Sequence, residues 1–84
     1  MNTKLNLQLT KAITLALNDD WHQAHKIAQE SNDPMACWIH AVLHKIEGDE
    51  SNSRYWYART QANYEEYADA KVELRAIAQL LDKS

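Results

Sequence analysis

Three residues in the middle of the chain have types and spacing that could do chemistry: His40, His44 and Glu47. On a helix, at 100° per residue, these positions lie within about 60° of one another. Two imidazoles four residues apart can hold one transition-metal ion, and a carboxylate one turn further can supply a third ligand. A zinc or iron site would then need a water or a side chain from another helix, such as His22 or His25. No HExxH or comparable motif surrounds the pair. The competing reading is that both histidines flank a packed face and hydrogen-bond to the next helix or to solvent. A pH-sensitive role is the third.

The second group is Asn52, Tyr55, Trp56 and Arg59. Tyr55 and Arg59 are four apart and can stack as a cation–π pair on a helix surface. Exposed Trp, Tyr and Arg together are the types that dominate protein–protein hot spots. The alternative puts Trp56 and Tyr57 in the core and leaves only Tyr55 and Arg59 outside. Catalysis is the weaker expectation. Ser51 and Ser53 sit near a helix start with no histidine at a definable distance, and there is no glycine-rich phosphate loop, Walker motif or EF-hand loop. The sequence therefore nominates no catalytic residue and no cofactor. Asp19, Asp20, Glu47, Asp49 and Glu50 gather at two expected turns, where helix capping explains most of them; an acidic rim for a cation or a basic partner is the other possibility.

The spacing of apolar residues predicts the elements that must carry these groups. A first helix runs over about Lys4–Leu17, with Leu5, Leu9, Ala12, Ile13 and Ala16 on one face and Thr3 as a cap. A second runs over Trp21–Gln29 behind Asp20, whose pairing with Gln23 has the form of a capping box; Trp21, Ala24, Ile27 and Ala28 are its apolar side. Asp33 at N-cap and Pro34 at N1 open the third helix, Pro34–Glu47, and Gly48 stands where a left-handed terminating residue belongs. Its expected face is Met35, Trp38, Ile39, Val42 and Ile46. The fourth, about Glu50–Gln61, is capped by Asp49 or Ser51 and turns Ser53, Trp56, Tyr57 and Thr60 to one side. The short link makes it antiparallel to the third. The fifth is predicted over Tyr64–Asp82, starting at Asn63 and Glu66, with Tyr67, Ala70, Leu74, Ile77 and Leu81 in a stripe. That stripe either closes the core or forms a dimer seam.

Composition narrows the class. Eighty-four residues make one domain, and a chain of that size buries only about 60–65% of its unfolded surface. One glycine and one proline leave little for β-turns. Net charge is −3, against a nucleic-acid partner, which wants a basic face. The single cysteine, Cys37, cannot form an internal disulfide and reads as a small buried hydrophobe in a reducing cytoplasm. The N-terminal stretch lacks the apolar core of a secretion signal, and no run approaches the ~20 apolar residues of a membrane span.

Sliding the first helix pair onto the second by 29 residues brings Ala12 onto Ala41, Ile13 onto Val42, Leu17 onto Ile46 and Asp20 onto Asp49. Stacked helical hairpins are built from such repeats. The second hairpin resembles a tetratricopeptide or Sel1-like repeat at Trp38, the Gly48-Asp49 turn, Ser53 and the run Tyr55-Trp56-Tyr57-Ala58. The stretch Trp38–Thr60 is also similar to a family of short, uncharacterised bacterial proteins with a WIHA-LH--EGD--NARYWY-RA pattern, departing from it at Ser53 and Thr60. The resemblance implies a bacterial, cytoplasmic, TPR-like protein and brings no activity. The expectation is thus an all-α domain of two hairpins and a capping helix. It binds a protein or peptide partner or a second copy of itself, through Asn52, Tyr55, Trp56 and Arg59; the alternative is a metal-binding protein or metal-dependent enzyme using His40, His44 and Glu47.

Overall fold

The computed structural model describes residues 3–83, with side chains from Lys4 onward. Five helices and no strand occur among these residues: α1 Thr3–Leu17, α2 Trp21–Ala28, α3 Pro34–Glu47, α4 Glu50–Tyr57 and α5 Ala70–Lys83. Four of the starts are set by an aspartate that accepts from a backbone N–H otherwise left without an intrahelical partner. Asp20 accepts from Gln23 N at 3.4 Å, Asp33 from Met35 N at 2.9 Å, Asp49 from Asn52 N at 3.4 Å, and Asp69 from Lys71 N at 2.9 Å. The expected Thr3 cap lies outside the described side chains.

The turns joining α1 to α2 and α3 to α4 are closed in the same way. Asp19 (φ 66°) and Gly48 (φ 81°) are left-handed. Asp19 N donates to Ala16 O and Asp20 N to Leu15 O; 29 residues on, Gly48 N donates to Lys45 O and Asp49 N to His44 O, all at 2.8–3.0 Å. The bond reaching five residues back is the Schellman closure, and it satisfies carbonyls that a helix end leaves bare. In each turn the residue after the left-handed one is the next helix's capping aspartate, so one tight turn both stops a helix and starts its neighbour.

α3 lies at the centre, in contact with every other helix. It is therefore buried over more than one face: Ala36, Ala41 and Leu43 join Ile39 and Val42 in the core, whereas the expected core residue Ile46 is 37% exposed and Met35 and Trp38 are half-buried. Leu9, Ala12, Ile13 and Ala16 of α1 are buried as their spacing predicts. Ala24 and Ala28 of α2 are fully buried while Trp21 is largely outside. Leu74, Ile77 and Leu81 of α5 pack against α1 and α3, so that stripe closes the chain's own core and is not free to serve as a dimer seam. All five helices contribute to one apolar cluster. The radius of gyration, 11.2 Å, matches the ~12 Å of a packed chain of this length. None of the described helices is long and apolar enough to cross a membrane.

Two boundaries differ from the periodicity. α4 ends at Tyr57, not Gln61, and α5 begins at Ala70, not Tyr64. Thr60 closes α4: its hydroxyl donates to Tyr57 O at 2.8 Å and accepts from Ala62 N at 3.0 Å. The segment 58–69 is then held to α3 and α4 by side chains. The Tyr64 ring receives Arg54 (4.3 Å to centroid) and Lys45 (5.0 Å), Glu65 pairs with Arg54, and Lys45 Nζ donates to Tyr67 O at 3.1 Å. Asn63 and Glu66 form a turn (Glu66 N to Asn63 O, 3.1 Å) and not a helix start; Asp69, which also accepts from Val72 N, is the working cap.

Candidate functional site

The fold gathers His25 of α2 with His40 and His44 of α3. One ring nitrogen from each lies within 4.8 Å of the other two. His40 and His44 stack 5.0 Å apart at 20°, and His25 meets both edge-on, at 4.5 and 5.2 Å. Trp56 of α4 also stacks on His40, 4.0 Å away and nearly parallel. His40 is buried at 5% exposure, and burial, then the neighbouring His25 and His44, lowers its pKa to about 4. Burial also lowers His25, with His44 and His22 adding to the effect and Glu47 opposing it. The ground state of both rings is thus the neutral imidazole, the ligand form. His44 Nδ1 is buried without a hydrogen-bond partner, and Asp49 Oδ2 is 3.8 Å from it. Glu47 and His22 are exposed and outside this group of three. Helical phase placed His40 and His44 together; that His25 joins them depends on how α2 packs on α3.

The second candidate surface is built on α4 and the segment after it. Tyr55 is 52% exposed; its hydroxyl accepts from Arg59 Nη2 at 2.7 Å, and the guanidinium lies 5.0 Å over its ring and 5.5 Å from the Trp56 ring. The expected Tyr55–Arg59 cation–π pair is therefore present, outside the core. Trp56 is half-buried against His40. Asn52 is exposed, and its amide donates to Asp49 Oδ2 at 2.7 Å, a contact that serves the cap and lowers the Asp49 pKa. Arg59 also lines a groove of about 630 Å³ whose other walls include Met35, Trp38, Ala62 and Leu80. That volume is within the range of small-ligand pockets, ~300–1,000 Å³.

The arrangement that periodicity alone does not reveal is a buried ion pair beside this groove. Glu73 is fully buried. Its Oε1 accepts from Lys45 Nζ at 2.9 Å, and its Oε2 accepts from Trp38 Nε1 at 2.7 Å and the Tyr57 hydroxyl at 2.6 Å. The Tyr57 pKa is pushed up by burial and then by this carboxylate. The sequence did carry a signal: Glu73 stands four before Ile77 and eight before Leu81, on the buried side of α5. Of the acidic residues at the turns, Asp20 and Asp49 are caps, Asp19 pairs with Lys71 and Glu50 with Arg54. Cys37 is buried as expected, its thiol pKa raised by burial.

No protein-family model matches the chain, and no curated protein or solved structure is significantly similar to it.

Proposed function

We propose that the chain is a small, non-enzymatic interaction module of the TPR-like, stacked-hairpin kind, working in a bacterial cytoplasm. The likeness of its two hairpin turns at an offset of 29 residues supports the repeat reading. The observation that carries the binding role is the exposed Tyr55–Arg59 pair at the edge of a groove with Met35, Trp38, Ala62 and Leu80 on its walls. An aromatic and a guanidinium beside a concave apolar surface are the ingredients of an anchor site. The occupant that fits is a short peptide segment of a partner protein: a bulky apolar side chain in the groove, and a carboxylate near Arg59, whose guanidinium has five donors and uses one on Tyr55.

The test is selection from a random linear-peptide display library on the immobilised protein, counter-screened with a Tyr55→Ala/Arg59→Ala variant. The expected outcome is an enriched motif pairing an apolar with an acidic residue. The corresponding synthetic peptide should bind at least tenfold more weakly to the double variant, while the helical circular dichroism of both proteins is the same. No enriched motif, or equal binding to both proteins, would overturn the reading.

A further inference from the structure

We propose that His25, His40 and His44 form a three-histidine site for a divalent transition-metal ion of the zinc class, a binding role separate from the peptide groove. The ligands come from two elements. His40 and His44 are one helical turn apart on α3, and His25 arrives from α2, which packs directly on α3. One nitrogen from each ring already lies within 4.8 Å of the others. In a tetrahedral site with Zn–N distances of about 2.0–2.1 Å, ligand nitrogens sit roughly 3.3 Å apart. Side-chain rotation covers the difference, since all three rings are attached to helices already in contact.

A second observation points to the same place. His44 Nδ1 is buried and has no hydrogen-bond partner, a state that is costly when left unrelieved. Asp49 Oδ2, at 3.8 Å, is just beyond hydrogen-bond reach. Ligation of an ion through Nε2 would leave Nδ1–H for Asp49 to accept. That carboxylate–histidine–metal order is the usual support behind a ligating imidazole. Asp49 is itself fixed by Asn52 and by its role as the α4 cap, so a small shift of the His44 ring would bring its Nδ1–H to an acceptor held nearby.

The donor set selects the ion. Three imidazole nitrogens without a thiolate suit zinc, cobalt, nickel or copper, and do not suit calcium or magnesium, which take oxygen ligands. Cys37, the single thiol, is not in the group. Three protein ligands leave a coordination position for water or for a ligand from a partner. Trp56, stacked on His40, shields one side of the cluster.

The experiment uses the full chain without a polyhistidine tag, purified through a chelator and titrated with zinc by calorimetry and with cobalt by visible absorption. The expected result is one equivalent of zinc bound with a dissociation constant in the micromolar range or below, and the intense visible band of a four-coordinate cobalt site. His25→Gln and His44→Gln should each weaken zinc at least tenfold, and His22→Gln should leave it unchanged. His25 is only half-buried, so its variant tests the site without emptying the core. Absence of a saturable equivalent in the wild type would overturn the proposal, as would undiminished affinity in His25→Gln or loss in His22→Gln. Peptide binding through Tyr55 and Arg59 is read in a separate assay, so either idea can fail alone.

Discussion

Placing an imidazole between two others and an indole makes its protonation costly, and His40 shows the effect, with a pKa lowered from 6.5 to about 4 by burial and by His25 and His44. Between those two values the unfolded chain binds more protons than the folded one, so stability rises with pH there. The stability tied to neutral His40 is complete above about pH 6.5 and is lost as pH falls toward 4, amounting to roughly 3 kcal/mol over the full span. Urea midpoints measured from pH 4 to 8 should show this slope, and His40→Gln should flatten it; an unchanged slope would refute the assignment. Glu73 is the other residue whose environment decides its worth. Glu73→Ala leaves Lys45, only 10% exposed, without a counter-charge, and leaves Trp38 and Tyr57 without an acceptor. Breaking such a pair costs about 3–5 kcal/mol, a large share of the roughly 4–13 kcal/mol total of a chain this long. The Lys45→Met/Glu73→Leu variant should recover part of that loss in denaturant melts but not all, because the two orphaned donors remain.

At the scale of elements, the two tight turns use one geometry with different residues. Gly48 occupies the left-handed position freely, and a Cβ there would meet nothing within 4 Å. The cost of Gly48→Ala is therefore conformational, about 1 kcal/mol. Asp19 already bears such a cost at φ 66°, and its ion pair with Lys71 is exposed and contributes little. Asp19→Gly should thus raise the melting temperature and Gly48→Ala lower it, each by a few degrees for a domain of this size; shifts of the same sign would refute the shared-turn account. The Gly48-Asp49 turn and the Asp33-Pro34 start of α3 were legible in advance because they act through local backbone chemistry. The ends facing segment 58–69 were not. Tyr64 and Glu65 have adequate helix propensity, but the fold engages them with Lys45 and Arg54, and tertiary contacts override a weak local preference.

For the whole molecule, α3 decides the arrangement. Surrounded by the other four helices, it brings His25 beside His40 and His44, Trp56 onto His40, and Glu73 onto Lys45 and Trp38. The histidine cluster and the Arg59-lined groove are thus both built on α3, and Trp56 belongs to the surroundings of each, stacked on His40 and 5.5 Å from the Arg59 guanidinium. α5 completes the core on the sides of α1 and α3, burying the stripe that would otherwise have been free to pair with another chain.

The sequence by itself determined the all-α class, the five helices, the Asp20 and Asp33 caps, Asp49 as one of two cap candidates for α4, the glycine stop and the Tyr55–Arg59 pair. Each of these depends on residues no more than four positions apart, whose geometry a helix fixes without outside help. Tertiary structure alone decided that His25 completes the histidine group, that Glu47 stays outside it, that Ile46 is exposed, and that a glutamate in α5 is neutralised by a lysine 28 positions earlier. Those facts depend on which helix faces meet, and a chain's periodicity defines each face without naming its partner.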